Sequence, residues 1–402
     1  MTRTDPDSCP GVLRLHEAAD GPLARIRVPG GLLSPAQLQA LAAAAADLGD
    51  GNIELTSRGN IQFRQVRDAA ALTDRLTQAG LLPSATHERV RNIIASPLSG
   101  RVGGWTDVHP LVPALDEGLR AQPRYAGLPG RVLFTLDDGR GDVSGLGGDI
   151  GVHALDEHTY ALLLAGKDSG LRLPADAAID LMLAAADGFL DLRDGHWRLH
   201  EIPDGAARLA DRLRTAHPGV GLSADLIETA GPQDIPIGWM TQSNDLVALG
   251  AGVRLGSLPA RTAEFLAAAE RPIIVTPWRS LVLADLEEWP AEQVVRVLAP
   301  MGLIFDTASP WLEVSACAGM PGCAKSLTDV RADVAEAVDS GRVLPTGAPG
   351  FAREGLDAAD VVVAGRQHWS GCDRRCGRPK GAVTDVIATT DGYRITPADS
   401  AR

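Results

Sequence analysis

Four of the five cysteines form two closely spaced pairs late in the chain. Cys317 and Cys323 have five residues between them, Cys372 and Cys376 have three, and 48 residues separate the pairs. Both pairs follow a predicted strand and lie in turns rich in small residues, where thiolates and backbone N–H groups are exposed together. Structural zinc usually takes cysteines two to four residues apart, whereas these wider spacings suit a larger object such as a four-iron cubane. We therefore predict that the four cysteines hold one 4Fe-4S cluster, with zinc and unrelated buried thiols as the alternatives.

The composition excludes several classes of partner. The 402 residues carry a formal net charge of −13, so no overall field would attract nucleic acid or an anionic membrane. An anionic ligand would have to meet a local basic patch. The opening MTRTDPDSCPGVLRLHEA holds no apolar run long enough for a signal peptide, and we expect a cytoplasmic location. In that reducing compartment cysteines point to metal rather than disulphides, while Cys9 stands apart and has no predicted role.

The secondary-structure pattern repeats once along the chain. A strand in LARIRV, a helix opened by Ser34 and Pro35, strands in NIELTS and NIQFRQV, and a second helix form half of a ferredoxin-like unit. A weaker copy follows residue 235, with strands in VALGAGVRLG, RPIIVTP and RSLVLADL and helices in PARTAEFLAAAE and PAEQVVRVLAPMG. Within this duplication the strand-end arginine Arg58 falls near Arg279. The order predicts two halves related by pseudo-symmetry.

The pattern predicts an α+β protein of four parts, with two ferredoxin-like half-domains and two α/β catalytic halves. The half-domains are residues 1–80 and 231–300. The first α/β part is residues 81–230, which includes two alanine-rich helices, and the second is residues 301–402, which carries the paired cysteines. A length of 402 residues is far more than a single core usually needs, and this agrees with several domains.

Several motifs resemble those of the sulphite/nitrite reductase superfamily. The resemblance lies in C-x-G-x3-C at Cys317, S-G-C-x3-C at Cys372 and LTSRGNIQ around Arg58, and it covers nearly the whole chain. It implies duplicated ferredoxin-like half-domains and a catalytic half that bears the cluster. The opening CPGVLRLHEAADGPLARIRVPGG and the compact length most resemble the cobalamin-pathway branch, the precorrin-3B synthases. That branch implies hydroxylation of the precorrin-3A macrocycle with dioxygen and lactone formation, in aerobic cobalamin synthesis.

The resemblance also assigns basic residues to the face of a tetrapyrrole. Arg58 in LTSRGN, Arg91 in VRNII and Arg131 in LPGRVLF match superfamily positions. Early corrin intermediates carry many acetate and propionate groups, and arginine binds carboxylates bidentately with a fixed charge. Strand alternation after the LTSRGN turn predicts a polar face beside these arginines. Further substrate-binding candidates are Gln62, Arg64 and Arg279.

Two departures from the superfamily pattern bear on the activity. The reductases use two lysines after the L-P turn to hold and protonate a small anion, and the corresponding residues here are Arg131 and Leu133. Arg375 stands before Cys376 where glycine is usual, and Cys376 matches the cysteine that bridges cluster and sirohaem iron in the reductases. The pattern favours an enzyme whose tetrapyrrole is the substrate, with a sirohaem-dependent nitrite or sulphite reductase as the alternative.

The remaining partners follow from the same reasoning. No G-x-G-x-x-G stands between a predicted strand and helix, so reducing equivalents should come from an electron-donor protein or a reductant. The precorrin branch implies a separate mononuclear non-haem iron, but the histidines form no obvious ligand set and its ligands stay unassigned. A cluster-bearing electron carrier or redox sensor is a non-enzymatic alternative, although a plain carrier would not need two duplicated halves.

Overall fold

The first unit has the predicted order of strand, helix, two strands and helix in a computed structural model that describes residues 7, 9–229, 235–346, 355–379 and 381–398. Its first helix begins where the sequence places it, because Ser34 and Gln37 form a reciprocal capping box and Pro35 occupies the first turn. The elements are β1 (His16–Ala18), β2 (Gly21–Ile26), β3 (Leu32–Leu33), α1 (Pro35–Leu48), β4 (Asn52–Leu55), β5 (Ile61–Phe63) and α2 (Ala69–Gln78).

The middle of the chain forms a six-stranded sheet with its own hydrophobic cluster. Its elements are β6 (Ile93–Ala95), α3 (Leu111–Ala121), β7 (Phe134–Asp137), β8 (Ile150–Ala154), β9 (Thr159–Leu164), β10 (Lys167–Pro174), α4 (Ala178–Leu192), α5 (Gly205–Ala216) and β11 (Gly221–Leu222). β6, β7 and β8 run parallel, and β9 follows antiparallel to β8. Helix α4 has 15 residues, and within the described part of the chain no helix has both the length and the apolar character to cross a membrane.

The second ferredoxin-like unit repeats the order of the first. Its elements are β12 (Gly238–Thr241), β13 (Val247–Val253), β14 (Ser257–Pro259), α6 (Ala260–Ala267), β15 (Ile273–Val275), β16 (Ser280–Leu286), α7 (Glu288–Leu298) and β17 (Leu303–Ile304). The predicted strands and helices of this copy are therefore confirmed, with α6 and α7 each ending before the last residues of the predicted segment.

The two ferredoxin-like units exchange a short strand. β3 pairs antiparallel with β15, matching Leu33 with Ile273, and β14 pairs antiparallel with β4, matching Leu258 with Ile53. The two sheets therefore run β1–β2–β5–β4–β14 and β12–β13–β16–β15–β3. Helices α1 and α6 pack against each other, and a single hydrophobic cluster contains buried residues of both units. Each unit thus completes the sheet and the core of the other.

The last part of the chain carries a four-stranded sheet that follows the plan of the middle sheet. Its elements are β18 (Val314–Ala316), α8 (Val330–Asp339), β19 (Val343–Leu344), β20 (Val363–Ala364), β21 (Gln367–Ser370), β22 (Thr384–Thr389) and β23 (Gly392–Thr396). β18, β21 and β22 run parallel and β23 is antiparallel. Cys317 directly follows β18 and Cys372 follows β21, so the two cysteine pairs start from the carboxyl ends of neighbouring parallel strands.

The duplicated hairpin turns Thr56–Asn60 and Thr276–Ser280 show which residue of the second unit corresponds to Arg58. In each turn the first residue donates its backbone N–H to the carbonyl of the last at 2.9 Å, so the turns have the same length. The structural counterpart of Arg58 is therefore Trp278, one residue before the predicted Arg279. Arg279 instead takes the place of a glycine, with a left-handed φ of 59°. A one-residue offset is invisible in the sequence because both turns contain a single arginine near the strand end.

Leu258 tests the shared core, since its side chain is fully buried on the exchanged strand β14. Replacing Leu258 with alanine should lower the free energy of unfolding by about 2–5 kcal/mol, because the cavity opens where the two units join. A urea titration followed by circular dichroism measures the change. The matched control is Leu222→Ala at an exposed position, expected within about 0.5 kcal/mol of the parent. Equal effects of the two substitutions would show that the exchanged strand is not part of the core.

Candidate functional site

The four paired cysteines converge on one location. The backbone N–H of Cys317 donates to the carbonyl of Trp369 at 3.0 Å, which joins the end of β18 to β21. The N–H of Gly371 in turn points at the sulphur of Cys317, 3.3 Å away. The N–H of Leu327, four residues after Cys323, donates to the carbonyl of Gly371, next to Cys372, at 2.9 Å, so the loops of the two pairs meet. Burial raises the pKa of the Cys376 thiol, and charge repulsion from the other three cysteines raises it further. Cys376 is exposed and its three partners are half-buried.

The spacing of these sulphurs in the structure is wider than a single zinc ion requires. A tetrahedral zinc with bonds of about 2.3 Å would hold its sulphurs about 3.8 Å apart. Among the described residues, which include all four cysteines, no three of the sulphurs lie within 4.8 Å of one another. Gly371 is required beside them, because a Cβ at that position would lie 1.7 Å from the Ser326 hydroxyl oxygen. The residues present therefore fit a 4Fe-4S cluster with a backbone N–H directed at one ligand sulphur.

Polar side chains of the first sheet support the cluster-bearing loop. Arg64 binds Asp20 with two nitrogens at 2.8 and 2.7 Å, and it also donates to the carbonyl of Gly322 at 2.8 Å. Arg331 pairs with the buried Glu54 at 2.8 Å. Arg64 is 7% exposed, and its Nε and Nη2 are bound by protein partners, so it supports the loop before Cys323. Its assignment to substrate binding stays a prediction.

Gln62 is likewise occupied by protein partners. Its side-chain oxygen accepts from Arg25 at 2.9 Å, and its nitrogen donates to Glu54 at 2.8 Å. The three residues lie side by side across β2, β5 and β4, because Arg25 and Glu54 are both register partners of Gln62. The polar face predicted from strand alternation exists, and it orients Arg25 rather than leaving Gln62 available to a ligand.

Arg91 is buried away from the other predicted arginines. It is 5% exposed, and its Nε and Nη2 bind the two carboxylate oxygens of Asp116, at 2.5 and 3.1 Å. Its remaining nitrogen donates to the carbonyl of Leu81. The predicted substrate contact of Arg91 stays a prediction, and in this structure Asp116 is its partner. A buried arginine needs a carboxylate partner from elsewhere in the fold, and no motif in the sequence marks α3 as the element that supplies it.

Arg58 and Arg131 line a cavity of about 470 Å³, called here the arginine-lined cavity, whose full lining is Cys9, Pro10, Arg25, Arg58, Arg131, Arg198, His200 and Glu201. Arg58 donates to the carbonyl of Arg131 at 3.0 Å. Burial and repulsion from Arg198 lower the pKa of Arg58 to about 10, so Arg58 remains a cation at neutral pH. The Arg131 guanidinium stacks 4.9 Å from the ring centre of Trp197 and lies 3.8 Å from Asp7. Converging guanidiniums of this kind make an anion site.

Sequence reasoning missed two arginines of this cavity. Strand alternation places Arg25 on the same face as Arg27, two residues later, and the structure adds that Arg25 lies opposite Gln62. Arg198 comes from a loop of the middle unit, where Asp149 holds its Nε at 2.7 Å and the carbonyl of Gly147 accepts from its Nη2 at 2.6 Å. No local pattern marks Arg198, because the distant residue Asp149 determines its orientation.

Arg279 and Arg375 lie near the cluster-bearing turn instead. Arg279 donates to the carbonyl of Gly377 at 3.4 Å, and burial, with repulsion from Arg331, lowers its pKa. Arg375 stands where glycine is usual in the superfamily. Its guanidinium donates to Asp385 at 2.9 Å. Both arginines therefore surround the end of the cysteine loop rather than the arginine-lined cavity.

Leu133 takes part in a small apolar cluster. Its buried neighbours are Ile94 and Val143, with Leu146 and Trp278 packed against them. The position that carries a second lysine in the reductases is therefore surrounded by hydrocarbon, where a cation would lose hydration without gaining a partner.

One group of carboxylates within the described residues has metal-like spacing: Asp137, Asp138 and Asp142. Both oxygens of Asp137 accept backbone N–H groups, Asp138 pairs with Arg140, and Ser96 donates to Asp142. Burial, together with the charge of Asp137, raises the pKa of Asp142 to about 7. Protein donors bind each of the three carboxylates, although Oδ2 of Asp138 has no hydrogen bond within the described structure, and we do not assign the mononuclear iron to them.

Arg64 provides a test of the loop support. Replacing Arg64 with glutamine should speed iron loss to a chelator about 10-fold, because removing an outer partner of a metal ligand loop commonly weakens metal retention by that order. The absorbance of the released iron complex gives the rate. Arg67→Gln is the control, since Arg67 is exposed and its side chain donates to the carbonyl of Asp47, not to a cysteine loop. Unchanged iron loss together with weakened ligand binding would support the assignment of Arg64 to the substrate.

Sequence comparisons relate the chain to nitrite and sulphite reductases. Residues 16–78 match the family described as Nitrite/Sulfite reductase ferredoxin-like half domain. A precorrin-3B synthase from Sinorhizobium sp is 25% identical over an alignment that covers 96% of this chain and 82% of that protein. Sulphite reductase (ferredoxin) 2 of Mycolicibacterium paratuberculosis is 26% identical over 76% of this chain and 60% of its own length.

A solved structure has the same fold. The structure of the Mycobacterium tuberculosis NirA protein aligns with a TM-score of 0.71 at 20% identity, covering 95% of this chain and 76% of that one. The predicted α+β, reductase-like architecture is thereby confirmed. The resemblance found in the motifs is confirmed as well: the chain carries a nitrite/sulphite reductase ferredoxin-like half domain and is similar along nearly its whole length to a precorrin-3B synthase.

Proposed function

We propose that this chain is an oxidoreductase that carries a 4Fe-4S cluster and acts as a precorrin-3B synthase-like oxygenase. In this proposal it hydroxylates the precorrin-3A macrocycle with lactone formation. The observation that carries the proposal is the convergence of Arg25, Arg58, Arg131 and Arg198 on one cavity of a chain that is otherwise strongly acidic. The similarity to a precorrin-3B synthase over 96% of the chain names the class of ligand.

The cavity chemistry fits acetate and propionate groups. Within the described structure, Arg58 uses one guanidinium N–H, on the Arg131 carbonyl, and no carboxylate neutralises it directly. Its neighbour Arg198 repels it, so an anion bound between the two would reduce the repulsion between their guanidinium groups. A cavity of about 470 Å³ is smaller than a whole tetrapyrrole and would hold one carboxylate-bearing edge of the ring. Arg58, Arg131 and Arg198 would then bind and orient that edge.

The cysteine site would serve the redox part of the reaction. Cys317, Cys323, Cys372 and Cys376 would hold the cluster, which supplies single electrons when bound. The N–H of Gly371 and the support of the loop by Arg64 would keep the ligand sulphurs in place. We propose that the electron donor is a protein. The related reductases carry ferredoxin in their names, which suggests a protein donor for those enzymes.

A sirohaem-dependent nitrite or sulphite reductase is the second candidate. The exposed Cys376, which matches the bridging cysteine of that superfamily, favours it, as does the similarity to nitrite and sulphite reductases. Leu133 argues against it, because reduction of a small oxyanion needs repeated proton delivery and this position sits in an apolar cluster.

Metal and pigment content separates these candidates. Anaerobically purified protein should contain about four iron atoms and four acid-labile sulphides per protein chain from the cluster, and it should show no sirohaem absorption band. Iron and sulphide assays with an optical spectrum give the answer in one preparation. A sirohaem band with nitrite or sulphite turnover would replace the oxygenase proposal with the second candidate.

The cavity assignment is tested at Arg58. Replacing Arg58 with glutamine should weaken binding of uroporphyrin, a stable carboxylate-rich tetrapyrrole, about 10- to 100-fold, because hydrogen bonds to charged groups contribute about 1.5–3 kcal/mol. Fluorescence titration measures the dissociation constant, and the cluster spectrum should be unchanged. The control is Arg261→Gln, a change at an arginine whose side chain is 75% exposed. Loss of the cluster spectrum in the Arg58 variant would mean that Arg58 is structural.

A further inference from the structure

Cys9 lies in the arginine-lined cavity, apart from the four paired cysteines. Its side chain is half-buried and forms part of the cavity wall. Nη2 of Arg27 donates to its sulphur at 3.2 Å, and Nη1 of Arg25 approaches the same sulphur at 3.7 Å. Its backbone N–H donates to Asp7 at 3.0 Å. Two guanidinium groups thus converge on a sulphur that remains open to the cavity.

Two guanidinium nitrogens near this sulphur lack an acceptor among the described residues, and Oδ2 of the neighbouring Asp7 lacks a donor there. Arg27 is 3% exposed, yet its Nη1 has no hydrogen-bond partner in the described structure. The buried Nε of Arg25 is also without one. A buried donor without an acceptor has lost its hydration without compensation, and the loss is larger when the donor is charged. Within the described structure, these two nitrogens are therefore available to donate to an oxygen added to the sulphur of Cys9.

We propose that Cys9 is a site of reversible oxidation by peroxide and that its oxidised form blocks the arginine-lined cavity. Reactive cysteines lie in electropositive and partly exposed surroundings, and Cys9 meets both conditions. The effect on the tetrapyrrole rests on the proposed function of the cavity, whereas the oxidation itself does not.

The chemistry balances with hydrogen peroxide as the oxidant. The thiolate sulphur attacks one peroxide oxygen, an S–O bond forms, and the O–O bond breaks. Hydroxide leaves with the bonding electron pair and takes up a proton to give water, so sulphur loses two electrons and peroxide gains two. A small thiol reverses the reaction by forming an S–S bond with Cys9 and displacing hydroxide, and a second thiol then releases Cys9.

The added oxygen would face the donors that lack a partner. It would accept hydrogen bonds from Arg27 and Arg25. The positive charges and the directed N–H groups of these arginines would stabilise the sulphenate. The same oxygen would bring negative charge beside Arg58 and Arg131, and it would narrow the cavity between them. A carboxylate of the ligand would then meet repulsion where the reduced protein offers attraction.

The experiment compares cluster-loaded wild-type protein with a Cys9→Ser variant before and after brief treatment with a few equivalents of peroxide. Dimedone trapping and peptide mass spectrometry should find the sulphenate on Cys9. Uroporphyrin affinity should fall about 10-fold in the wild type, return after thiol treatment, and change little in the variant. Cluster absorbance recorded in both proteins corrects for damage to the iron site. Absence of the Cys9 adduct, or an equal loss of affinity in both proteins, would overturn the proposal.

A second measurement does not depend on tetrapyrrole binding. The rate of Cys9 alkylation by anionic iodoacetate, relative to neutral iodoacetamide, should be about fivefold lower in Arg25→Gln than in the wild type, because the variant removes one attracting charge. An equal ratio in the two proteins would mean that the charge of Arg25 does not influence the reaction of the Cys9 sulphur. If the untreated wild type fails to bind uroporphyrin, the proposed function fails, and the Cys9 adduct and this ratio still decide the oxidation.

Discussion

Strand exchange between the ferredoxin-like units is the constraint on which the rest of the structure depends. Because β3 completes the second sheet and β14 the first, the turn that carries Arg58 lies against β15, and a Cβ on Gly59 would be 3.1 Å from the carbonyl of Val275. From this shared position Arg58 reaches the middle unit at Arg131, and Arg279 reaches the cluster-bearing unit at Gly377. One packing arrangement therefore directs two arginines to two different α/β units.

The distribution of arginine partners explains how an acidic chain keeps a basic cavity. Arg64 and Arg91 each hold a carboxylate at close range, and both are buried. Arg58 instead contacts a carbonyl, and Arg25 an amide and a sulphur. Arg198 lines the cavity although it is paired with Asp149, whereas Arg58 and Arg25 have neutral acceptors, which satisfy hydrogen bonds without cancelling the charge.

The two α/β units use one strand plan for different chemistry. Ser96 follows β6 as Cys317 follows β18, and each donates its backbone N–H to the neighbouring strand at 3.0 Å, to Leu136 and Trp369 respectively. The loops that follow these strands differ. In the middle unit they carry aspartates that bind backbone N–H groups and arginine, and in the last unit they carry the cysteines. The carboxyl ends of parallel strands supply the location, and the side chains decide what it holds.

The sequence by itself determined the features that are local. Strand and helix periodicity, the capping residues of α1, the duplicated order of elements and the spacing of the cysteine pairs depend on neighbours along the chain, and the structure has all of them. The motif around Arg58 also marked a residue of the arginine-lined cavity.

The surroundings of each arginine depend on the folded chain. Asp116 binds Arg91 and Asp20 binds Arg64, and both arginines are buried, whereas the distant Asp149 binds Arg198 at the wall of the arginine-lined cavity. A guanidinium on a long side chain can reach partners many residues away in sequence, and its charge is then used by whichever carboxylate the fold brings close. Sequence spacing therefore fixes the kind of chemistry available, and only the packed chain fixes which residues perform it.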